Sequence, residues 1–165
     1  MRRFTVRRTL LALLAATACV SMPAFASKEK PVIGFSIDDL RVERWARDRD
    51  FFIAAAKELG AEVSVQSADG DSAKQVAQIE NLISKKVDVL VIVPKDGPTL
   101  INVIKEAKKA GIKVVDYDRL IKTPDIDVYI SFDNYRVGMM QGEALMKALP
   151  NGKGSIYVLS GDPGD

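Results

Sequence analysis

The chain has 165 residues, 47% of them hydrophobic and 28% charged, with 24 basic and 22 acidic residues and a net charge of +2. It contains no histidine, and its single cysteine is Cys19, so it lacks the commonest general base and metal ligand and can form no disulfide of its own. Beyond residue 26 there is no basic cluster, which argues against nucleic acid or an anionic membrane surface as a partner. Enzymatic interpretations therefore depend on carboxylates.

The first 26 residues have the pattern of an export signal. An apolar run, 10–20, is followed by Ala24-Phe25-Ala26, which has the A-x-A form of a cleavage site, and is preceded by Arg2, Arg3, Arg7 and Arg8. The run is too short for a membrane anchor, which needs about 20 apolar residues. We therefore expect cleavage after Ala26 and an exported chain with 20 basic and 22 acidic residues. Lipidation at Cys19 is an alternative, disfavoured because no leucine occurs at 16–18.

Strand and helix patterns alternate along the rest of the chain. Apolar residues recur at helical spacing, for example at Trp45, Phe52, Ala56 and Leu59, whereas 87–93 is an almost continuous Val/Leu/Ile run typical of a strand buried on both sides. The predicted strands are 32–37, 62–66, 87–93, 112–117, 127–132 and 155–159. The predicted helices are 42–59, 71–85, 98–110 and one from Asp133 or Asn134 to about residue 149.

This alternation predicts an α/β fold, a doubly wound parallel sheet with helices on both faces. Ligands of such sheets bind beyond the carboxyl ends of the strands, so the segments that follow each strand are the candidate site. These are 38–45, 67–70, 94–97, 116–119, 133–134 and 161–165. Because 161–165 would be a loop without a covering helix behind it, we expect the chain to be a truncated fragment.

The loop after the first strand combines charge with the only tryptophan of the chain. An indole can stack on the apolar face of a sugar, while arginine and aspartate hydrogen-bond its hydroxyls. Trp45 fits two interpretations equally well, as a sugar-stacking ring or as the first residue of the core stripe that contains Phe52 and Leu59. For Arg44, the residues alone slightly favour a solvated residue in the first turn of a helix over a sugar contact.

Two further polar pairs follow predicted strands. Strand alternation predicts that Asp116 and Asp118 point the same way, and Asp118 with Arg119 could supply an acceptor and a bidentate donor for neighbouring hydroxyls. A structural aspartate that caps the next turn is the alternative. Asp133 and its neighbour Asn134 are also typical of a helix cap.

These carboxylates suggest two enzymatic alternatives. A receiver domain needs a phosphorylatable aspartate after the third strand, where this chain has Pro94-Lys95, and is excluded. An exported Mg²⁺-dependent phosphatase would use Asp116 of the Asp-x-Asp pattern as nucleophile and Asp118 as acid/base. That motif normally lies on the first strand and continues with a small residue and threonine, whereas Arg119 and Leu120 follow here.

Four stretches resemble the ribose/galactose-type family of periplasmic sugar-binding proteins, and within it the xylose-binding branch. They are 37–45, which contains Leu-Arg-x-Glu-Arg-Trp, 88–92, 117–119 with Tyr-Asp-Arg, and 129–134. The similarity covers the whole chain beyond residue 26, and the Leu-Arg-x-Glu-Arg-Trp and Tyr-Asp-Arg blocks are specific to that branch. A sugar-responsive transcription regulator of the same fold is disfavoured because the chain has an export signal and no N-terminal DNA-binding helices.

The resemblance implies a non-enzymatic, monomeric periplasmic receptor without a cofactor or metal. It would close two lobes around a monosaccharide, D-xylose in this branch, and deliver it to an ABC permease in the inner membrane, with a chemoreceptor as a second candidate partner. By position, the sugar-binding residues it implies are Arg44, Trp45, Asp118, Arg119 and, near the hinge, Asp133. Residues 27–165 would then be the N-terminal lobe, and the second lobe, which separates xylose from arabinose, ribose or glucose, would lie beyond them.

Overall fold

The structure is a computed structural model that describes residues 30–160. The expected export signal, its cleavage position after Ala26 and the lipidation candidate Cys19 lie outside the described residues, as does 161–165. Within the described range, no helix is both long and apolar enough to cross a bilayer.

Five parallel strands form one sheet in the order β2-β1-β3-β4-β5. The strands are β1 (Val32–Ile37), β2 (Glu62–Ser67), β3 (Val89–Val93), β4 (Lys113–Tyr117) and β5 (Val128–Ile130). They are connected by α1 (Glu43–Glu58), α2 (Ser72–Ser84) and α3 (Gly97–Lys109), and followed by α4 (Asn134–Ala148) and a 3-10 helix, Pro150–Gly152. The predicted doubly wound α/β fold is confirmed.

Helices cover both faces of the sheet, and each face has its own apolar core. On one face α2 and α3 pack over β3 and β4, burying Ile79, Leu82, Leu100, Val103, Ile104, Leu90 and Val114. On the other face α1 contributes Trp45 and Phe52, which pack with Phe35, Ile37, Val91 and Val93. Because strand side chains alternate between the faces, both cores are supplied by the same strands. The buried residues of α2 and α3 recur at spacings of three and four, so each helix turns one face toward this core.

The helix ends follow the local signals in the sequence. The Asp71 side chain caps α2 by accepting a hydrogen bond from the Lys74 amide at 3.0 Å. Gly60 and Gly111 follow α1 and α3 with φ near +80°, the left-handed conformation that favours glycine after a helix. The prediction that Leu59 points inward is wrong. It is 85% exposed, because α1 ends at Glu58 and Leu59 is its C-cap.

The chain after β5 does not pack onto the sheet. α4 contains no buried residue, and the predicted strand at 155–159 is absent, with Tyr157 93% exposed. A strand needs a hydrogen-bonded neighbour, and no strand of the described residues extends alongside this segment. The apolar cores therefore end before α4, and the last buried core residue is Ile121.

Candidate functional site

The candidate site lies at the carboxyl edge of the sheet, where the strand order reverses. From β1 the chain proceeds outward to β2 and then returns across β1 to form β3. Between β1 and β3 the following loops diverge and leave a crevice, which is where doubly wound sheets bind ligands. Asp38 follows β1, Pro94 follows β3, and Asp118 and Arg119 follow β4.

Arg119 spans this crevice. Its Nη1 donates hydrogen bonds to Asp38 Oδ2 at 2.7 Å and to the Pro94 carbonyl oxygen at 2.9 Å, so one guanidinium joins the ends of three strands. The side chains of Arg119 and Asp38 are 19% and 6% exposed. Asp38 Oδ1 is buried and has no hydrogen-bond partner within residues 30–160. The pair therefore holds a cation at the crevice with little freedom to move.

A second ion pair joins α1 to the end of β4. Arg44 Nη2 donates to Asp118 Oδ1 at 2.5 Å, and Arg44 Nε lies 3.6 Å from Asp48 Oδ2, one helical turn further along. Burial lowers the pKa of Arg44, but the hydrogen bond and the negative charge of Asp118 outweigh it and raise this pKa. Arg44 is thus permanently charged at the edge of the site.

Aromatic rings surround these two cations. The guanidinium carbons of Arg44 and Arg119 lie 4.3 and 5.8 Å from the centroid of the Trp45 ring, and Arg44 lies 5.1 Å from the Phe132 ring. Trp45 is 4% exposed and meets Tyr117 edge-on at 6.2 Å. The burial of Trp45 agrees with its interpretation as a core residue. Its ring also lies beside the guanidinium groups of both arginines.

Asp118 owes its position to an unusual backbone conformation. Its φ is +74°, and its carbonyl oxygen accepts hydrogen bonds from Tyr129 Oη at 3.0 Å and Ser131 Oγ at 2.8 Å. The prediction that Asp116 and Asp118 point the same way is wrong, because alternation ends where the left-handed residue turns the chain. Asp118 reaches α1, whereas Asp116 lies in the core shared with α2 and α3.

Asp116 is completely buried. Its Oδ2 accepts a hydrogen bond from the Ile121 amide at 2.6 Å, and its Oδ1 has no partner among the described residues. Burial raises the pKa of Asp116 to about 6, although the Ile121 hydrogen bond opposes the shift. A nucleophile must reach its substrate, so the phosphatase alternative has no support here. No group of three or more His, Cys, Asp or Glu side chains within 30–160 is placed to hold a metal ion.

The structure brings four of the five candidate residues into one cluster: Arg44, Trp45, Asp118 and Arg119. The fifth, Asp133, is the N-cap of α4, where its Oδ1 accepts from the Arg136 amide at 2.9 Å, as the cap alternative predicted. Within the described residues, no hydrogen bond joins Asp133 to the other four. It is nevertheless adjacent in sequence to Phe132, whose ring contacts Arg44.

Sequence reasoning did not assign several residues that hold the site in place. Asp38 was included only as part of the first loop, yet it fixes Arg119. Tyr117 donates through its hydroxyl to Asp48 Oδ2 at 2.8 Å while its ring packs on Trp45. Asp48 lies one turn after Arg44 on α1, a spacing that could have indicated an ion pair. The contact between Phe132 and Arg44 has no such local signal.

The cluster offers both donors and acceptors to a ligand rich in hydroxyls. Beside it a hollow of about 520 Å³ opens at the sheet edge, lined by Asp118, Arg119, Lys95, Tyr129 and Asn134 among others. Polar groups around such a hollow, with an indole behind them, can orient a small neutral polar ligand.

Residues 33–165 match the family described as periplasmic binding protein domain. The chain belongs to this family. It is 49% identical to the D-xylose-binding periplasmic proteins of Haemophilus influenzae and Escherichia coli, in each case over 160 residues, which are 97% of this chain and 47% of the relative. An ABC transporter solute-binding protein of Clostridium phytofermentans, solved with bound β-D-glucose, is 39% identical with a TM-score of 0.69, covering 71% of this chain and 36% of that one.

The resemblance seen in the sequence is thereby confirmed. As a periplasmic binding protein domain, the chain spans about half the length of the curated relatives it matches. Those relatives are named as periplasmic proteins, which supports the expected compartment, while cleavage after Ala26 stays a prediction. The matched range also includes α4 and 155–160, although these segments do not pack on the sheet.

Proposed function

We propose that the chain is the N-terminal part of a periplasmic receptor that captures a monosaccharide, D-xylose first among the candidates. The receptor closes two lobes around the sugar and delivers it to an ABC permease in the inner membrane, without chemistry on the sugar. The observation that carries this proposal is the cluster of two arginine–aspartate pairs around one indole, Arg44–Asp118 and Arg119–Asp38, at the switch point of the sheet. The relatives named above support xylose, and the glucose-bound structure supports the wider class of monosaccharides.

Each member of the cluster has a distinct role in the proposal. A guanidinium carries five N–H donors, and Arg44 directs its Nη2 to Asp118, which leaves other donors for sugar hydroxyls. Arg44 occupies Asp118 Oδ1, and Asp118 Oδ2 is the proposed acceptor for a neighbouring hydroxyl. Arg119, fixed by Asp38, donates from the floor of the crevice. Trp45 forms the apolar wall behind Arg44 and Arg119. Asp133 is the fifth proposed sugar-binding residue and lies at the rim of the site.

The proposal is tested by calorimetric titration of the full-length parent with xylose, ribose, arabinose and glucose, in the wild type and in Arg119→Ala. Since Trp45 lies near both arginines, tryptophan fluorescence is a second readout for any variant that retains it. Arg47→Ala is the matched control, because Arg47 lies on the same helix as Arg44 but, among residues 30–160, forms an ion pair only with Glu43.

We expect saturable binding of xylose that Arg119→Ala abolishes and Arg47→Ala preserves. Binding of glucose or ribose in place of xylose would retain the receptor class and reject xylose as the ligand. If the wild type bound none of the four sugars, the proposed function would be wrong. Delivery to a permease is tested separately, by xylose uptake in cells that lack the receptor gene and are complemented with either variant.

A further inference from the structure

The stability of the fold does not explain why a carboxylate is buried at Asp116. Asp116 lies on β4 in the core formed with α2 and α3 and is fully buried. Its carboxylate accepts a single hydrogen bond among the described residues, from the Ile121 amide to Oδ2. Its Oδ1 has no partner within the described residues, and no ion pair reaches the carboxylate. A buried charge with one hydrogen bond costs free energy that an apolar residue at this position would avoid.

The one hydrogen bond closes a short loop that carries the site. The chain leaves β4 after Tyr117, passes through Asp118 with its φ of +74°, and returns to the core at Ile121, which is 1% exposed. Asp118 and Arg119 belong to the candidate-site cluster. They lie between Asp116 and Ile121, the two residues that the hydrogen bond joins. The backbone of the loop is therefore tied at its base by the Asp116 side chain.

We propose that Asp116 is a positioning residue of the sugar site: by holding the amide of Ile121, it fixes the loop from which Asp118 and Arg119 meet the sugar. This inference rests on the proposed function. Asp116 does not touch the sugar, since it is buried beneath the loop, and it acts only through the geometry of the two residues above it. The loss of stability from the buried charge of Asp116 then accompanies the fixed arrangement of Asp118 and Arg119.

The proposal can be tested because the Asp116 carboxylate should favour sugar binding while its buried charge lowers stability. In the full-length parent, Asp116→Ala removes the buried charge together with the tie to Ile121, whereas Asp116→Asn removes the charge but keeps an oxygen that can accept the Ile121 N–H. We expect Asp116→Ala to weaken xylose binding by about tenfold or more, with a melting temperature equal to or above that of the wild type. Asp116→Asn should bind within about threefold of the wild type, because the acceptor is retained.

Hydrogen exchange of the Ile121 amide in the unliganded protein gives a second measurement, and Asp116→Ser, whose side chain is too short to reach that amide, gives a second variant if the alanine protein does not fold. Protection should be lost in the alanine and serine variants and kept in the asparagine variant. Unchanged affinity in Asp116→Ala, or an affinity that falls only in step with the melting temperature, would overturn the inference and leave the receptor intact. A wild type that binds no sugar would instead overturn the proposed function, and this inference with it.

Discussion

Arg44 and Asp118 are 74 residues apart in the chain, yet Arg44 Nη2 and Asp118 Oδ1 are 2.5 Å apart in the structure. The pair joins the first turn of α1 to the end of β4. It differs from the Arg119–Asp38 pair in its exposure, because the Arg44 side chain is 42% exposed and that of Arg119 only 19%. A partly exposed ion pair contributes little to stability, so Arg44 can exchange partners with a ligand at low cost, whereas Arg119 is held in place.

The first prediction follows from that exposure. Arg44→Ala should change the free energy of unfolding by less than about 1 kcal/mol, because much of the pair is screened by water. It should weaken sugar binding about 10- to 100-fold, since a hydrogen bond from a charged donor to the ligand is lost. Urea unfolding and calorimetric titration of the same samples measure the two effects. Arg47→Ala, one turn further on α1, should alter neither, and equal affinity losses in the two variants would contradict the assignment.

The second prediction concerns the buried pair. Asp38→Ala should lower the free energy of unfolding by about 3–5 kcal/mol, because it removes the Asp38 carboxylate from the mostly buried guanidinium of Arg119. The neighbouring Asp39 is the matched control. It pairs with Arg41, which is 77% exposed, so Asp39→Ala should have a much smaller effect. Chemical denaturation monitored by circular dichroism measures both, and a similar loss in the two variants would show that the Arg119–Asp38 pair does not stabilise the fold.

Much of this architecture was predictable because it depends on local patterns. The valine- and leucine-rich run that became β3 and the apolar spacing of α2 and α3 are properties of short segments, and each segment packs where its pattern requires. Leu59 was misassigned because helical spacing does not show at which residue a helix stops. The strand predicted at 155–159 has the right composition, but a strand also needs a partner, which composition does not reveal.

The candidate site was predictable in its residues more than in its geometry. The switch-point rule and the family resemblance both indicated the loop after β1 and the Asp118-Arg119 pair. Neither predicted that Arg119 would cross to Asp38, nor that Asp116 and Asp118 would separate onto opposite sides. Both outcomes depend on the left-handed turn at Asp118, which is set by hydrogen bonds from Tyr129 and Ser131 more than ten residues away.

The third prediction is a pH dependence of stability. Burial raises the pKa of Asp116 to about 6 in the folded state, against about 3.9 when unfolded. Between these values the folded state binds more protons at Asp116 than the unfolded state, so the contribution of Asp116 to stability falls as the pH rises from about 4 to about 6 and changes little above about pH 7. The shift corresponds to about 3 kcal/mol.

Asp116→Asn has no titratable group at this position. Its free energy of unfolding relative to the wild type should therefore increase by about 2 kcal/mol between pH 4 and pH 7, because part of the total shift lies below pH 4. Urea unfolding of both proteins at half-unit pH intervals measures that difference and cancels the contributions of groups that the two proteins share. A difference that stayed constant across this range would show that Asp116 ionises at its ordinary pKa.

The fourth prediction concerns the segment after β5. Because α4 has no buried residue and the buried cores end at Ile121, a chain that ends after Asn134 should keep the melting temperature of the 165-residue chain within about 2 °C. The matched control ends after Lys122 and so lacks β5, whose hydrogen bonds with β4 hold the Asp118 loop. That control should melt at least about 5 °C lower, because it loses a paired strand as well as the exposed segment. Scanning calorimetry of the three chains decides between these outcomes. A large drop in the chain that ends after Asn134 would mean that the removed segment stabilises the sheet.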